Sequence, residues 1–294
     1  MGYSLRYRRR FLPRTLTDLS ALVFMSVVIP AVYWFEVYVV APTVYNQPLN
    51  ILHTILGTYI VINIFGNFIA IIVVNTSTQG LLLPAQCVSA GTPGWHVCAS
   101  CESTAPPRSR HCNTCRVCVL KKEHHCVFAG CCVGLANHRY FFIFLCLIYF
   151  FIFLCLMWVS TLYCSFLNAC LSGPMWAAST CGQWFAWCCR RVAGVGAVPR
   201  HPLRLPLLHQ RDGCLFMSVL VYYYTALLLT NTTTLENNTG KGNKHDHGRD
   251  YNLKVTLGER WYLTWVFPTL YSPLPCDGLE WSQRPAKTDK HKGK

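Results

Sequence analysis

Residues 98–132 of the chain read CASCESTAPPRSRHCNTCRVCVLKKEHHCVFAGCC and hold eight of its 18 cysteines. Cysteines separated by two residues occur at 98 and 101, at 112 and 115, and at 115 and 118. This spacing lets two thiolates bind one tetrahedral Zn²⁺ ion. Two zinc ions need eight ligands, whereas the stretch supplies eleven Cys and His side chains. The sequence therefore predicts two structural zinc sites and three side chains left over.

The surplus falls where Glu123, His124, His125 and Cys126 follow one another. A cysteine beside an imidazole and a carboxylate is the usual arrangement of an activated thiol, in which the imidazole takes the proton and the carboxylate orients it. On spacing alone, either histidine is a candidate partner of Cys126. The alternative is a zinc module that only binds partners, such as a membrane-anchored RING-type ligase or a zinc-finger adaptor. A RING, however, uses its Cys and His residues as ligands and leaves no reactive thiol.

The composition indicates a membrane protein with basic water-facing parts. Apolar residues make up 52% of the chain and charged residues 13%, whereas soluble domains carry about 25% charged residues. The net charge of +14 is concentrated in the tails and loops, where it suits anionic lipid headgroups or an anionic cofactor. We expect no nucleic-acid partner, because no platform of interleaved arginines and aromatics is visible. Cysteines beside histidines indicate metal binding in a reducing compartment rather than a disulfide framework.

Four apolar runs are each long enough, at about 20 residues, to cross a bilayer as a helix. The predicted fold class is an all-α polytopic membrane protein, with a cytoplasmic, loop-rich two-zinc module between spans two and three. Five arginines before Leu16 place the start of the first span on the cytoplasmic side. A transporter would need charged or broken spans, which these runs lack. The predicted segments are a basic N-terminus at 1–18, spans at 19–40, 51–74, 141–167 and 213–230, a cysteine-rich module at 95–140, a lumenal loop at 168–212 and a cytoplasmic tail at 231–294.

The order and spacing of the Cys, His, Glu and Asn residues over 98–137 resemble the cysteine-rich domain of the DHHC-type protein S-acyltransferases. Two spans, this domain and two further spans follow the same order as in that family. Thr233-Thr234-Leu235-Glu236 is similar to the family's TTxE motif, and 252–258 to its C-terminal motif. The segment 261–278 resembles the tail of one vertebrate member. The resemblance implies how the zinc ligands are divided: Cys98, Cys101, His111 and Cys118 for one ion, and Cys112, Cys115, His125 and Cys132 for the other.

The resemblance also implies a reaction. Cys126 would be the nucleophile, His124 the general base and Glu123 the carboxylate that orients it. Cys126 would take a long-chain acyl group from acyl-CoA, with palmitoyl-CoA as co-substrate, and pass it to membrane-proximal cysteines of substrate proteins. We expect an endomembrane location, Golgi or endoplasmic reticulum, with both termini cytoplasmic. Candidates for contacting the CoA phosphates are Lys121, Lys122 and Arg139, whose alternative role is general surface charge near anionic lipid.

Four positions depart from the family pattern. Glu123 stands where the family has Asp, and the extra methylene moves the carboxylate by about 1 Å, a displacement that can cost roughly 100-fold in rate. Val127-Phe128 replaces the Pro-Trp that usually follows the catalytic cysteine, and Ala105 replaces a basic residue. The alternative function is therefore a catalytically weak or inactive membrane-anchored zinc module that recruits partner proteins.

Overall fold

Four helices that are long and apolar enough to cross a membrane account for much of the chain in the computed structural model, which describes residues 5–44, 46–81, 91–172, 204–240, 242 and 244–281. The segments that meet these criteria are Leu16–Val40, Gln47–Val73, His138–Cys155 and Asp212–Leu229. Helices suit such apolar runs because each backbone N–H and C=O is bonded within its own segment. The number of such helices among the described residues equals the number of predicted spans.

The helices extend beyond the predicted apolar runs. The first is α1, Leu16–Phe35, which continues through a π-helical segment, Glu36–Val40, into the short α2, Ala41–Val44. The second is α3, Gln47–Val73; Pro48 is tolerated in its first turn, where no intrahelical N–H bond is required. The third, α4, covers His138–Ser172, and the fourth, α5, covers Arg204–Leu229. Both helices enter the predicted 168–212 loop, of which 173–203 lies outside the described residues.

Six three-residue strands correct the all-α prediction for the Cys/His module. They are β1 His96–Cys98, β2 Ser103–Ala105, β3 Arg110–Cys112, β4 Val117–Val119, β5 His124–Cys126 and β6 Cys131–Val133. Each consecutive pair forms an antiparallel hairpin, giving three separate two-stranded sheets. A module this short cannot bury enough apolar surface to be stable by itself, so the Cys and His side chains between the hairpins replace an apolar core.

The described chain divides into two compact units. One contains the Cys/His module and comprises 1–30, 61–146 and 221–294; the other comprises 31–60 and 147–220. In the first unit, Asn137 ties the module to the end of α3: its amide donates to the carbonyls of Ile71 and Cys132 at 3.1 and 3.0 Å. Phe68 and Phe144 stack with ring centroids 5.3 Å apart.

The segment after α5 packs onto the module instead of forming a free polar tail. It contains α6, Thr234–Asn238, and α7, Arg249–Leu257. Leu274 joins Leu120 and Leu135 in a buried apolar cluster. Asn252, fully buried, donates its amide to the Leu229 carbonyl at 2.7 Å. These contacts explain why a stretch of low hydrophobicity is ordered: its few apolar and amide side chains complete the core of the first unit.

Candidate active site

The first Cys/His cluster lies between the β1–β2 and β3–β4 hairpins. Its ligand atoms, from Cys98, Cys101, His111 and Cys118, all lie within 4.8 Å of one another. His111 and Cys118 are cross-strand partners, and a tight turn, closed by the Cys101 N–H to the Cys98 carbonyl at 3.2 Å, brings the other two thiols together. Three thiols and one imidazole at this separation are the donor set of a closed tetrahedral site that suits Zn²⁺.

The second cluster lies between the β3–β4 and β5–β6 hairpins. It consists of Cys112, Cys115, His125 and Cys132, again with all ligand atoms within 4.8 Å. The His125 Nδ1 atom lies 3.4 Å from the Cys115 thiol and 3.7 Å from the Cys132 thiol. The structure therefore groups the eight predicted metal ligands into the two sets of four that the family resemblance implied.

Asp18 contacts a histidine of the second cluster, although the sequence pattern did not identify Asp18 as a site residue. Its Oδ2 atom lies 3.2 Å from Nε2 of His125, the ring nitrogen that faces away from the thiols. A carboxylate on the far side of a metal-binding imidazole fixes its tautomer and ring orientation. Asp18 is buried and lies in the first turn of α1. The only hint in the sequence was the position of Asp18, an acidic residue at the N-terminal end of an apolar run.

The β5 strand presents different side chains on its two faces. Successive side chains of a strand point to opposite faces, so His125 faces the second cluster while His124 and Cys126 share the other face. Cys126 then precedes a 3₁₀ turn, Val127–Ala129. Burial raises the pKa of the Cys126 thiol, and the backbone N–H groups of Ala129 and Phe128 oppose this shift. The resting thiol therefore needs a base before it can act as a nucleophile.

The hydroxyl group of Tyr224, at the fourth apolar helix, lies 3.1 Å from Nδ1 of His124. The ring of Phe141 meets the imidazole edge-on, with centroids 4.8 Å apart, and meets the Tyr224 ring at 5.0 Å. Burial lowers the pKa of His124 to about 4, and the charges of His125 and Lys122 act in the same direction. The imidazole is therefore neutral, and if Nδ1 donates to the tyrosine oxygen, Nε2 is free to accept a proton.

The family model described as DHHC palmitoyltransferase matches residues 92–241, which is half of the chain. This chain belongs to the DHHC palmitoyltransferase family. The matched region runs from the first hairpin of the module to the TTxE segment that follows α5. The family predicted from the spacing of the module is thus confirmed.

Similar proteins include the probable palmitoyltransferases ZDHHC24 of Rattus norvegicus and Homo sapiens, each 40% identical over 67 residues. The match covers 23% of this chain and 23% of each relative. The ZDHHC24 protein of Danio rerio is 33% identical over 67 residues, covering 23% of this chain and 22% of its own length. The chain thus spans about a quarter of the length of the curated relatives it matches. They are the vertebrate member that 261–278 was predicted to resemble.

Glu123, in place of the Asp of the DHHC motif, has partners other than His124. Its Oε2 atom accepts hydrogen bonds from the Thr234 N–H at 3.1 Å and the Thr234 hydroxyl at 3.4 Å. Its Oε1 atom lies 3.6 Å from Nδ1 of His138. Burial raises the pKa of Glu123, opposed chiefly by the positive charge of Lys121. The carboxylate of Glu123 is thus bonded to the TTxE segment.

The TTxE segment is joined to the DHHC module by a second carboxylate. Thr233 and Glu236 form a capping box at the start of α6. Both Glu236 oxygens accept from the Arg108 guanidinium at 2.8 Å, and Arg108 also donates to the Asn231 carbonyl at 2.7 Å. Burial raises the pKa of Glu236, but Arg108 outweighs this and leaves it below the ordinary value. The TTxE segment therefore fixes where α5, and with it Tyr224, meets the module.

The predicted CoA-phosphate contacts are placed mostly inside the protein. Lys121 is 2% exposed, with its ammonium 3.4 Å from the Thr256 hydroxyl, and burial lowers its pKa to about 8. Arg139 is buried and donates to the Ser272 carbonyl at 2.8 Å. Lys122 is half-buried and donates to the His111 carbonyl at 3.0 Å. All three cations thus have protein partners, and Lys121 and Arg139 do not face solvent.

Cys131 is the thiol that the ligand count left over. It is fully buried, and its Sγ atom lies 3.5 Å from the Ile71 carbonyl oxygen, to which it donates. Burial raises its pKa to about 12. Cys131 thus packs the hairpin against α3, with its thiol held in the protonated form.

Proposed function

We propose that the protein is an S-acyltransferase that moves a long-chain acyl group from acyl-CoA, through Cys126, to cysteines of membrane-proximal substrate proteins. The observation that carries this proposal is the β5 strand, on which Cys126 and His124 share one face while His125 faces the second metal cluster. Membership of the DHHC palmitoyltransferase family supports the reaction class.

In the first step, His124 accepts the proton of the Cys126 thiol as sulfur attacks the carbonyl carbon of the thioester. The carbon–sulfur bond to CoA then breaks, and the leaving thiolate of CoA takes the proton. In the second step, the thiol of a substrate cysteine attacks the acyl-Cys126 thioester, and the proton passes through His124 to the Cys126 sulfur. Atoms and electrons balance without a redox partner.

Tyr224 is a positioning residue in this scheme. Its hydroxyl and ring, with the ring of Phe141, hold the His124 imidazole on two sides. Glu123 supports the site indirectly through Thr234, which fixes the segment following α5. The base is thus oriented by a residue of the fourth apolar helix, 100 positions further along the chain.

The two clusters would bind Zn²⁺, since three thiols and one imidazole are a common closed zinc site. When bound, the ions supply structure: they hold the hairpins in register and therefore hold His124 and Cys126 in place. Asp18 orients the imidazole of the second cluster.

The fatty chain requires an apolar environment. Each methylene removed from water contributes about 0.8 kcal/mol, so a long chain would bind far better than a short one. We propose that the protein lies in an endomembrane, with both termini and the module on the cytoplasmic side.

The test is transfer of a clickable palmitoyl group from its CoA thioester to the purified full-length protein. We expect a hydroxylamine-sensitive label that is lost in Cys126→Ser and strongly reduced in His124→Ala. The matched control is Cys131→Ser, which removes a thiol from the same hairpin and should keep the label. Absence of label from a folded wild-type protein that still binds two zinc ions per chain would refute the enzyme in favour of a recruiting module.

A further inference from the structure

A cavity of about 590 Å³ lies between the basic N-terminal segment and the Cys/His module. A cavity of this volume accommodates a ligand much larger than one phosphate. The proposed acyl transfer makes no use of it. The cavity is lined by five arginines, and by Asp18 as the one acid among its described lining residues.

The arginine segment is fixed against the protein. Tyr7 pairs with Val74 in an antiparallel bridge; the Arg8 N–H donates to the Val73 carbonyl and the Asn75 N–H to the Arg6 carbonyl, each at 2.8 Å. Pro13 packs on Gly130, the left-handed residue of the β5–β6 turn. The cations are therefore presented by an ordered strand-like segment.

Two of the five arginines have protein partners. The Arg6 guanidinium donates to the carbonyls of Gln79 and Ser77 at 2.8 and 2.5 Å. Arg8 is half-buried and faces the thiols of Cys115 and Cys131. Arg6 therefore stabilises the backbone of a neighbouring segment. Arg8 would offset the negative charge of metal-bound thiolates.

The other three, Arg9, Arg10 and Arg14, are exposed and have neither an ion pair nor a side-chain hydrogen bond among the described residues. Asp18 cannot neutralise them, because it is buried against His125. Three free guanidinium groups around one cavity form a site for a ligand with several phosphates, since each planar fork can bind a phosphate with two hydrogen bonds.

The position of the cavity identifies the source of the phosphates. The arginines directly precede Leu16, the first residue of the first apolar helix, and the neighbouring Leu12 and Leu16 are 71% and 85% exposed. Apolar side chains exposed next to arginines at the start of a span are typical of the lipid headgroup region. A soluble ligand would leave these leucines exposed to water, whereas the acyl chains of a lipid would cover them.

We propose that Arg9, Arg10 and Arg14 bind the phosphorylated headgroup of an inositol lipid in this cavity. The cavity is also lined by His125 and Gly130. The lipid would therefore lie against the hairpin that carries the proposed nucleophile.

The test uses the full-length protein in neutral detergent and water-soluble dioctanoyl phosphatidylinositol bisphosphate as the probe, at low and at physiological salt. A basic residue near an anionic surface contributes about fivefold to binding, so Arg9→Gln/Arg10→Gln/Arg14→Gln should weaken the affinity about 100-fold at low salt. The matched control, Arg110→Gln/Arg249→Gln/Arg260→Gln, removes the same charge from exposed positions outside the cavity and should bind as wild type.

Two companion measurements complete the design. Unaltered zinc content and thermal unfolding would show that the triple variant is folded, and CoA added as a competitor would test the other source of phosphates. We expect CoA not to displace the lipid. The proposal is overturned if the probe does not bind wild type, if the control variant loses as much affinity, or if CoA is the ligand whose binding requires the three arginines. Each result is independent of whether Cys126 becomes acylated.

Discussion

Tyr224→Phe tests whether a tyrosine, and not the acidic residue of the motif, orients the base. The substitution removes one hydroxyl, which lies 3.1 Å from Nδ1 of His124, and keeps the ring that packs against the imidazole and against Phe141. A neutral hydrogen bond contributes about 0.5 to 1.5 kcal/mol. At about 1.4 kcal/mol per factor of ten, the rate constant of Cys126 acylation should fall by about twofold to twelvefold.

The assay is single-turnover acylation of the full-length protein with palmitoyl-CoA, followed over a range of concentrations. Because the hydroxyl contacts the base and not the co-substrate, the maximal rate constant should fall while half-saturation stays unchanged. The matched control is Tyr223→Phe: Tyr223 touches Tyr224 ring to ring at 5.4 Å, and its hydroxyl has no hydrogen bond among the described residues.

Three results would refute this reasoning. The first is a wild-type rate constant in Tyr224→Phe, and the second is an equal loss in Tyr223→Phe. The third is an effect of Tyr224→Phe that persists undiminished when His124 is replaced by Gln, since a residue that acts through the imidazole cannot act when the imidazole is gone. If the wild-type protein is not acylated at Cys126, the proposed function is wrong, and the role of Tyr224 no longer applies.

Three further predictions concern the scaffold. Asp18→Asn removes the carboxylate behind the second cluster and should weaken zinc binding there by about 10- to 100-fold in a chelator competition. Arg108→Gln leaves the largely buried Glu236 carboxylate uncompensated, so the free energy of unfolding should fall by about 3 kcal/mol, seen as a lower melting temperature. Gly130→Ala strains a residue at φ 60° and places its Cβ 2.6 Å from Pro13, so acylation should decrease together with stability.

Each scaffold prediction has a control in the same chain. Asp250→Asn removes an exposed carboxylate and should leave zinc affinity unchanged. Arg249→Gln removes an exposed guanidinium and should not lower the melting temperature measurably. Gly80→Ala also places an alanine at positive φ, but nothing lies within 4 Å of the added carbon, so it should leave acylation unchanged. Equal effects in variant and control would contradict the contact assigned in each case.

The sequence was sufficient where short-range spacing determines the structure. Two cysteines separated by two residues can bind one ion through a single tight turn, such as the turn from Cys98 to Cys101, so the spacing indicated metal sites before the fold was known. The four long apolar helices were equally predictable, because an apolar run of about 20 residues is the length that crosses a bilayer as a helix. The ends of these helices were not predictable in the same way, because helices such as α4 continue into the polar residues that flank the apolar run.

The sequence was insufficient where a contact joins distant segments or where burial decides a role. Tyr224 is one of three consecutive tyrosines, and nothing in the run shows which one meets His124, 100 residues earlier. Lys121 and Arg139 were predicted to bind phosphates because they are basic and near the motif. Their burial is set by contacts with 256–274, more than 100 residues further along the chain.

The register of the β5–β6 hairpin explains how a structural metal ion could determine the positions of His124 and Cys126 without taking part in the proposed reaction. His125 and Cys132 are cross-strand partners and both belong to the second cluster, while Cys126 pairs with Cys131. A shift of one residue would turn every side chain of β5 to the opposite face, which would turn His125 away from the cluster and bring His124 and Cys126 together onto the metal side. Binding of the ion by one residue on each strand excludes that shift. Removal of zinc should therefore abolish acylation even though no step of the proposed reaction involves the metal.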